Sequence, residues 1–152
     1  MKAKSTLALL GLLPALLAAA ASAGEPDAVK RLHDAKSFAF GGVGIAGIVT
    51  GEEIAFREIL ATPTAEADFS KLLKTGTSAA QCYALVGLRL KNRAVFEESV
   101  KPFITAKTEV ETIGGCIIMK LPMSSVAAQI KTGTYDQQAQ REMKPRRPAG
   151  NN

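Results

Sequence analysis

The chain has 152 residues, 47% of them apolar, with 19 lysines and arginines against 14 aspartates and glutamates. This length supports one domain, and the charged fraction is ordinary for a globular protein. Because there are two cysteines, one histidine and no tryptophan, a multi-cysteine zinc site, a haem-attachment motif and a dense disulfide scaffold are excluded.

The first 23 residues have the features of a secretory signal peptide. Two lysines precede an uncharged apolar run at residues 7–21, which closes on the small residues Ala-Ser-Ala at 21–23, the pattern that signal peptidase requires. The alternative is a membrane anchor, but a spanning helix needs about 20 apolar residues, and this run is shorter and contains Pro14. We therefore expect cleavage between Ala23 and Gly24, and a periplasmic or secreted protein with no transmembrane segment.

The positive charge of the expected mature chain lies at its C-terminal end. Residues 131–152 carry a net charge of +3, whereas residues 24–130 carry 12 charges of each sign. A neutral body has no net field with which to attract a polyanion, so nucleic-acid binding by the body is not expected. The basic residues 144–147 are interpreted as a solubilising terminus, and contact with anionic lipid or cell-wall polymers is the alternative.

The elements that follow are mostly helical. Residues 24–36 form a polar arm, either a short helix or a loose segment, and helices are predicted over about 52–61, 65–74, 79–91 and 94–104. Thr50 and Glu53 have capping-box spacing before the first of these four helices. Gly76 is placed to end the second in a left-handed conformation. The helix at 79–91 is apolar on nearly all sides, which indicates a central, buried position.

The pattern changes to alternation after Ala106. Two β-rich runs flank Gly114 and Gly115, which predicts a β-hairpin over residues 108–121, and a last helix is predicted to end near Ile130. The predicted fold is mainly α, with four to five helices in a single domain over residues 37–131. Residues 132–152 have almost nothing to bury and are predicted to be a disordered basic tail.

Short capped helices around the stretch AQCYALVGLRL resemble the helical hairpins of HEAT-like repeat proteins, over roughly residues 52–104. The stretches FAFGGVG, YALVGL and Gly-Gly-Cys also resemble small secreted bacterial proteins to which no function is assigned. These resemblances imply a helical fold and an exported location, and they imply no activity.

Gly42, Gly44 and Gly47 match the GxGxxG string of dinucleotide-binding folds. In those folds the glycines let the backbone approach a pyrophosphate at a helix N-terminus. The chain has no alternating strand–helix–strand texture, so a packed turn or a helix face of small residues is the favoured interpretation. No cofactor is expected.

Cys82 and Cys116 are predicted to form one intramolecular disulfide, because an exported chain with an even cysteine count normally oxidises. The alternatives are two buried thiols or two thiols that lie apart. A catalytic thiol is disfavoured because the only histidine, His33, lies in the charged N-terminal arm beside Asp34 and is expected to face solvent.

Two classes of function remain open. The favoured hypothesis is an exported, non-enzymatic binding module, with Phe38, Phe40 and Tyr83 lining a surface for a protein or another cell-envelope component. The alternative is a small periplasmic hydrolase that uses the carboxylates of Glu52, Glu53 and Glu109. A cleft that joins two of these carboxylates would favour the enzyme.

Overall fold

A computed structural model describes residues 26–141 of the chain. It confirms the mainly helical fold with a C-terminal β-hairpin, although it has more helices than the four to five predicted. The described residues form seven α-helices, one short 3-10 helix and one antiparallel pair of strands. In chain order these are α1 Asp27–His33, α2 Gly51–Leu60, α3 Ala65–Thr75, α4 Ser78–Lys91, α5 Arg93–Ser99, the 3-10 helix Lys101–Phe103, β1 Glu109–Gly114, β2 Ile117–Pro122, α6 Met123–Thr132 and α7 Asp136–Gln140.

Helix α4 is the centre of the core, as its apolar sequence predicts. Nine of its residues are buried, among them Tyr83, Leu85 and Leu88. Helix α3 packs closely along it because Gly87 has no side chain: a Cβ there would lie 2.3 Å from the Phe69 ring. The small residue thus sets the distance between the two helices.

The predicted cap at the start of α2 is confirmed in part, and the predicted conformation at the end of α3 is not. The Thr50 hydroxyl accepts a hydrogen bond from the Glu53 amide at 3.1 Å, so half of the predicted capping box is confirmed. The Glu53 carboxylate does not complete the box, because it binds Gly41 and Arg57 instead. The prediction of a left-handed Gly76 is wrong: its φ is −78°, and the residue is needed because a Cβ there would lie 2.7 Å from the Ala80 Cβ.

Both ends of the described chain pack on the core. In α1, within the predicted arm at 24–36, Val29 and Leu32 are buried. Helix α7 lies inside the predicted disordered tail at 132–152, so that prediction is wrong for residues 136–140. The helix is held because Ala139 is buried and because Asp136 accepts a hydrogen bond from the Arg89 guanidinium at 2.9 Å.

The β-hairpin has one end on the core and one end away from it. β1 pairs antiparallel with β2, with Val110 opposite Leu121 near α6 and Gly114 opposite Ile117 at the turn. On its other side β1 meets Phe38, whose amide donates to the Glu111 carbonyl at 2.8 Å. Val110 is buried, whereas Ile117 is 61% exposed, so the turn end of the hairpin projects beyond the core.

The predicted signal peptide, with Ala23 and Gly24, and the basic residues 144–147 lie outside the described residues. Within residues 26–141 no helix combines the length and the hydrophobicity that crossing a bilayer requires.

Candidate functional site

The aromatic residues predicted as a binding surface are buried, so that prediction is wrong. Phe38 and Tyr83 are fully buried and Phe40 is 9% exposed. Their rings form a T-shaped cluster, with the Phe38 and Tyr83 centroids 4.9 Å apart. Tyr135, from the turn before α7, adds a further ring 4.9 Å from Phe38. Aromatic rings in this geometry stabilise a core, and they are not available to a partner.

The phenol of Tyr83 fixes the segment that carries two of these rings. Its oxygen donates to the Ala39 carbonyl at 2.8 Å and accepts from the Ala39 amide at 3.0 Å. Burial raises the pKa of Tyr83 above its ordinary value, because the charged phenolate would lose its hydration. Ala39 is not part of a regular strand. Its amide and carbonyl groups therefore bond to the Tyr83 phenol instead of to a neighbouring strand.

The two cysteines are not bonded to each other in the structure. Cys82 is buried in α4, and Cys116 is exposed in the turn of the hairpin. The Cys82 thiol instead contacts the Met123 sulfur at 3.5 Å, at the start of α6. The base of the hairpin, rather than its turn, packs against α4, and this placement speaks against the predicted bond. Burial also raises the pKa of Cys82, which makes its thiolate unfavourable.

The carboxylates of the hydrolase hypothesis have separate surroundings. Glu53 is buried and bound by Arg57 and by the Gly41 amide, which donates to it at 3.0 Å. Glu52 lies next to it on α2, half-buried, and Glu109 is exposed at the start of β1. A buried carboxylate that is fully paired by an arginine and an amide is a structural ion pair.

An open cleft of about 460 Å³ lies between the end of α1, the start of α4 and the hairpin. Glu109 lines it together with Glu111, Asp34 and Lys120, but Glu52 and Glu53 do not. The cleft therefore fails to join the carboxylates that the hydrolase hypothesis requires. His33 lies nearby at the end of α1, where its Nδ1 is 2.6 Å from the Asp34 carboxylate.

The glycine-rich string forms a packed turn, as the favoured interpretation held. Val43 and Ile48 exchange two backbone hydrogen bonds, and the φ angles of Gly44 and Gly47 are +70° and +58°. A Cβ on Gly42 would lie 2.7 Å from the Gly47 Cα. These glycines serve a tight reversal of the chain, and α2 begins only at Gly51, so the geometry of a phosphate-binding loop is not formed.

This glycine-rich turn and the hairpin turn together form an exposed apolar surface. The Gly44 amide donates to the Gly115 carbonyl at 2.7 Å, which ties the two turns side by side. Five large apolar side chains, on the glycine-rich turn and at the start of β2, are exposed to solvent, and Ile45 is 100% exposed. We call this surface the apolar tip, and its residues are Ile45, Ile48, Ile117, Ile118 and Met119.

The apolar tip is uncharged as well as exposed. Residues 37–51 and residues 112–119 contain no aspartate, glutamate, lysine or arginine. Uncharged, exposed apolar side chains that lie close together are typical of surfaces through which proteins contact other molecules. In the sequence, the runs GGVGIAGIV and GGCIIM predict only turns and strands, and their lack of charge is the signal that could have indicated an exposed apolar surface.

Among residues 26–141, no group of three or more histidine, cysteine, aspartate or glutamate side chains is arranged to hold a metal ion. No family model matches the chain, and neither the curated proteins nor the solved structures contain a match.

Proposed function

We propose that this chain is a small exported binding module without catalytic activity, and that the apolar tip is its contact surface. The single observation that carries the proposal is the concentration of exposed aliphatic side chains on two turns that lack charge. Exposed apolar surface is costly in water, and a fold that keeps five such side chains together at one end gains from covering them.

The rest of the described surface differs from the apolar tip. Outside it, Ile104 is the remaining large aliphatic side chain that is markedly exposed, at 37%. Ion pairs lie elsewhere, between Arg31 and Glu58 and between Arg93 and Glu97. The apolar tip is therefore distinct from the ordinary polar surface, and export rests on the signal-peptide features of residues 1–23.

A photoreactive amino acid in place of Ile45 tests the proposal, with the same replacement at Ile104 as the matched control. Illumination of cells that export the protein is expected to give covalent adducts, with protein or with lipid, from position 45 and not from position 104. Equal labelling at the two positions, or none at position 45, would contradict the proposal.

The hydrolase is a second candidate only with a different set of carboxylates, because Glu109 and Glu111, and not Glu52 or Glu53, line the open cleft. A Glu109→Gln variant that lost a hydrolytic activity of the wild-type protein would favour it over the binding module.

A further inference from the structure

We infer that the partner of the apolar tip is the surface of an anionic lipid bilayer, into which the two turns insert. This inference rests on the proposed function and names the class of molecule that the apolar tip contacts. It is carried by the shape and composition of the apolar tip and by the place from which the basic end of the chain leaves the fold.

The shape of the apolar tip suits a bilayer surface. The apolar tip consists of two hydrogen-bonded turns that protrude from the core, and its side chains are aliphatic. A convex, charge-free protrusion fits a soft hydrocarbon layer, because every apolar side chain on it can be buried without a matching concave surface. Charged side chains in the same turns would oppose insertion, and the two turns have none.

A second copy of the chain is the alternative partner. The five side chains offer on the order of a few hundred Å² of apolar surface, whereas a stable dimer takes about 800 Å² from each partner. The open edge of β2 is also protected along part of its length. Because Glu111 and Ile113 bond to Phe38 on the far side of β1, the alternation of the ladder turns the backbone groups of their partners Ile118 and Lys120, and of Pro122, to the open edge. The lysine and the proline there oppose pairing with another strand.

The C-terminal segment leaves the fold close to the glycine-rich turn. The described chain ends at Arg141, whose carbonyl accepts a hydrogen bond from Arg57. Arg57 in turn holds Glu53, which accepts from the amide of Gly41, the residue just before the glycine-rich turn. The C-terminal segment therefore leaves the fold at the base of the apolar tip.

The sequence of that segment is basic, with Lys144, Arg146 and Arg147 against Glu142. Arg146 lies five residues after Arg141, and an extended chain covers at most about 3.5 Å per residue, so its charge reaches up to roughly 17 Å from that point. Arg57, Lys91 and Arg141 line a shallow cleft at the same place. Apolar insertion together with adjacent basic residues is the combination that binds anionic membranes.

The test is sedimentation of the exported protein with lipid vesicles, after mass spectrometry has shown that residues 1–23 are absent. Two vesicle types are compared, phosphatidylcholine alone and an equal mixture of phosphatidylcholine and phosphatidylglycerol. The wild-type protein is expected to bind both, the mixture about tenfold more strongly, and added salt is expected to remove that preference.

Three variants separate the contributions. The double variant Ile45→Ser, Ile118→Ser is expected to lose about tenfold or more of its binding to both vesicle types. The double variant Arg146→Gln, Arg147→Gln is expected to lose the preference for the anionic mixture and to keep the weaker binding. Ile104→Ser, the matched control, is expected to bind as the wild type does. Circular dichroism of each variant shows whether the fold is kept.

Wild-type protein that sediments with neither vesicle type, or a folded apolar-tip variant that binds as strongly as wild type, would overturn the inference. A wild-type dimer in analytical ultracentrifugation that the Ile45→Ser, Ile118→Ser variant dissolves would overturn it in favour of a second copy. Photo-crosslinks from position 45 to a protein, without vesicle binding, would overturn the lipid partner and leave the proposed function intact.

Discussion

The region around α4 and the apolar tip use the same kinds of residue in opposite ways. Around α4, small residues bring helices together: Gly87 lets the Phe69 ring approach, and the aliphatic side chains beside it are buried. At the apolar tip, glycines reverse the chain, and the isoleucines beside them face solvent. Hydrophobic residues in this chain are therefore buried where helices pack together and exposed on the two turns and the start of β2, so tertiary position rather than residue type decides their surroundings.

The sharpest way to break this comparison is to make one substitution in both regions. Ile59→Ala in α2 is expected to lower the free energy of unfolding by about 2–5 kcal/mol, because it leaves a cavity in the core. Ile45→Ala is expected to change it by less than about 0.5 kcal/mol, because the side chain is fully exposed. Urea denaturation measures both, and equal losses would show that the apolar tip is part of the core.

The glycines allow a similar comparison. Gly87→Ala places a Cβ 2.3 Å from the Phe69 ring, and the overpacking is expected to cost about 1–3 kcal/mol. Gly114→Ala, at the hairpin turn, meets nothing within 4 Å and is expected to stay within about 0.5 kcal/mol of wild type. Thermal unfolding of the two variants provides the check, and a stable Gly87→Ala variant would mean that α3 and α4 lie further apart than described.

Tyr83 links the two regions, since its phenol holds the segment that leads from the core to the glycine-rich turn. Tyr83→Phe removes both hydrogen bonds to Ala39 and is expected to cost about 1–3 kcal/mol at neutral pH, because two buried backbone groups lose their partner. Denaturant titration at pH 7 measures this loss. Wild-type stability in the variant would show that water replaces the phenol.

The pH dependence follows from the raised pKa values of Tyr83 and Cys82. In the unfolded chain these groups ionise at about pH 10 and pH 8.5, whereas the fold keeps them neutral. The unfolded state therefore releases protons first, and stability is expected to fall as pH rises above about 8.5. Denaturation at successive pH values should show a smaller fall in the Tyr83→Phe, Cys82→Ala variant, and an equal fall would assign the effect to other groups.

The smallest effect on stability is expected from modification of the exposed thiol. A maleimide should label Cys116 in the folded, exported protein without a change in its unfolding curve, while Cys82 should react only after denaturation. Protein that is denatured without reductant and shows no reactive thiol would restore the predicted disulfide.

Local sequence signals predicted the helices and the hairpin well, because each depends on nearby residues. The Thr50 cap and the apolar sides of α4 fix their elements within a few residues. The short α7 was missed because its stability comes from distant partners: Arg89 binds Asp136, and the Phe38 ring packs on Tyr135. A polar segment of five residues has no local pattern that records such contacts.

The burial of the three aromatic residues was not predicted for the same reason. Phe38, Phe40 and Tyr83 are predicted to line a surface because short paired helices form grooves, yet long-range packing buries them. The isoleucines of the apolar tip lie in the glycine-rich turn and at the start of β2, and only the tertiary arrangement of these segments shows that they stay exposed. Hydrophobicity alone does not distinguish the buried aromatic residues from the exposed isoleucines. The absence of charge on both sides of each turn is visible in the sequence.

The contact between Tyr135 and Phe38 has a consequence for the order in which this chain folds. The two rings lie 97 positions apart in the sequence, and their centroids are 4.9 Å apart. During synthesis, the earlier ring emerges long before its partner exists, so the aromatic cluster closes only when nearly all of the chain has been made. The fold therefore becomes compact only late in the synthesis of the chain.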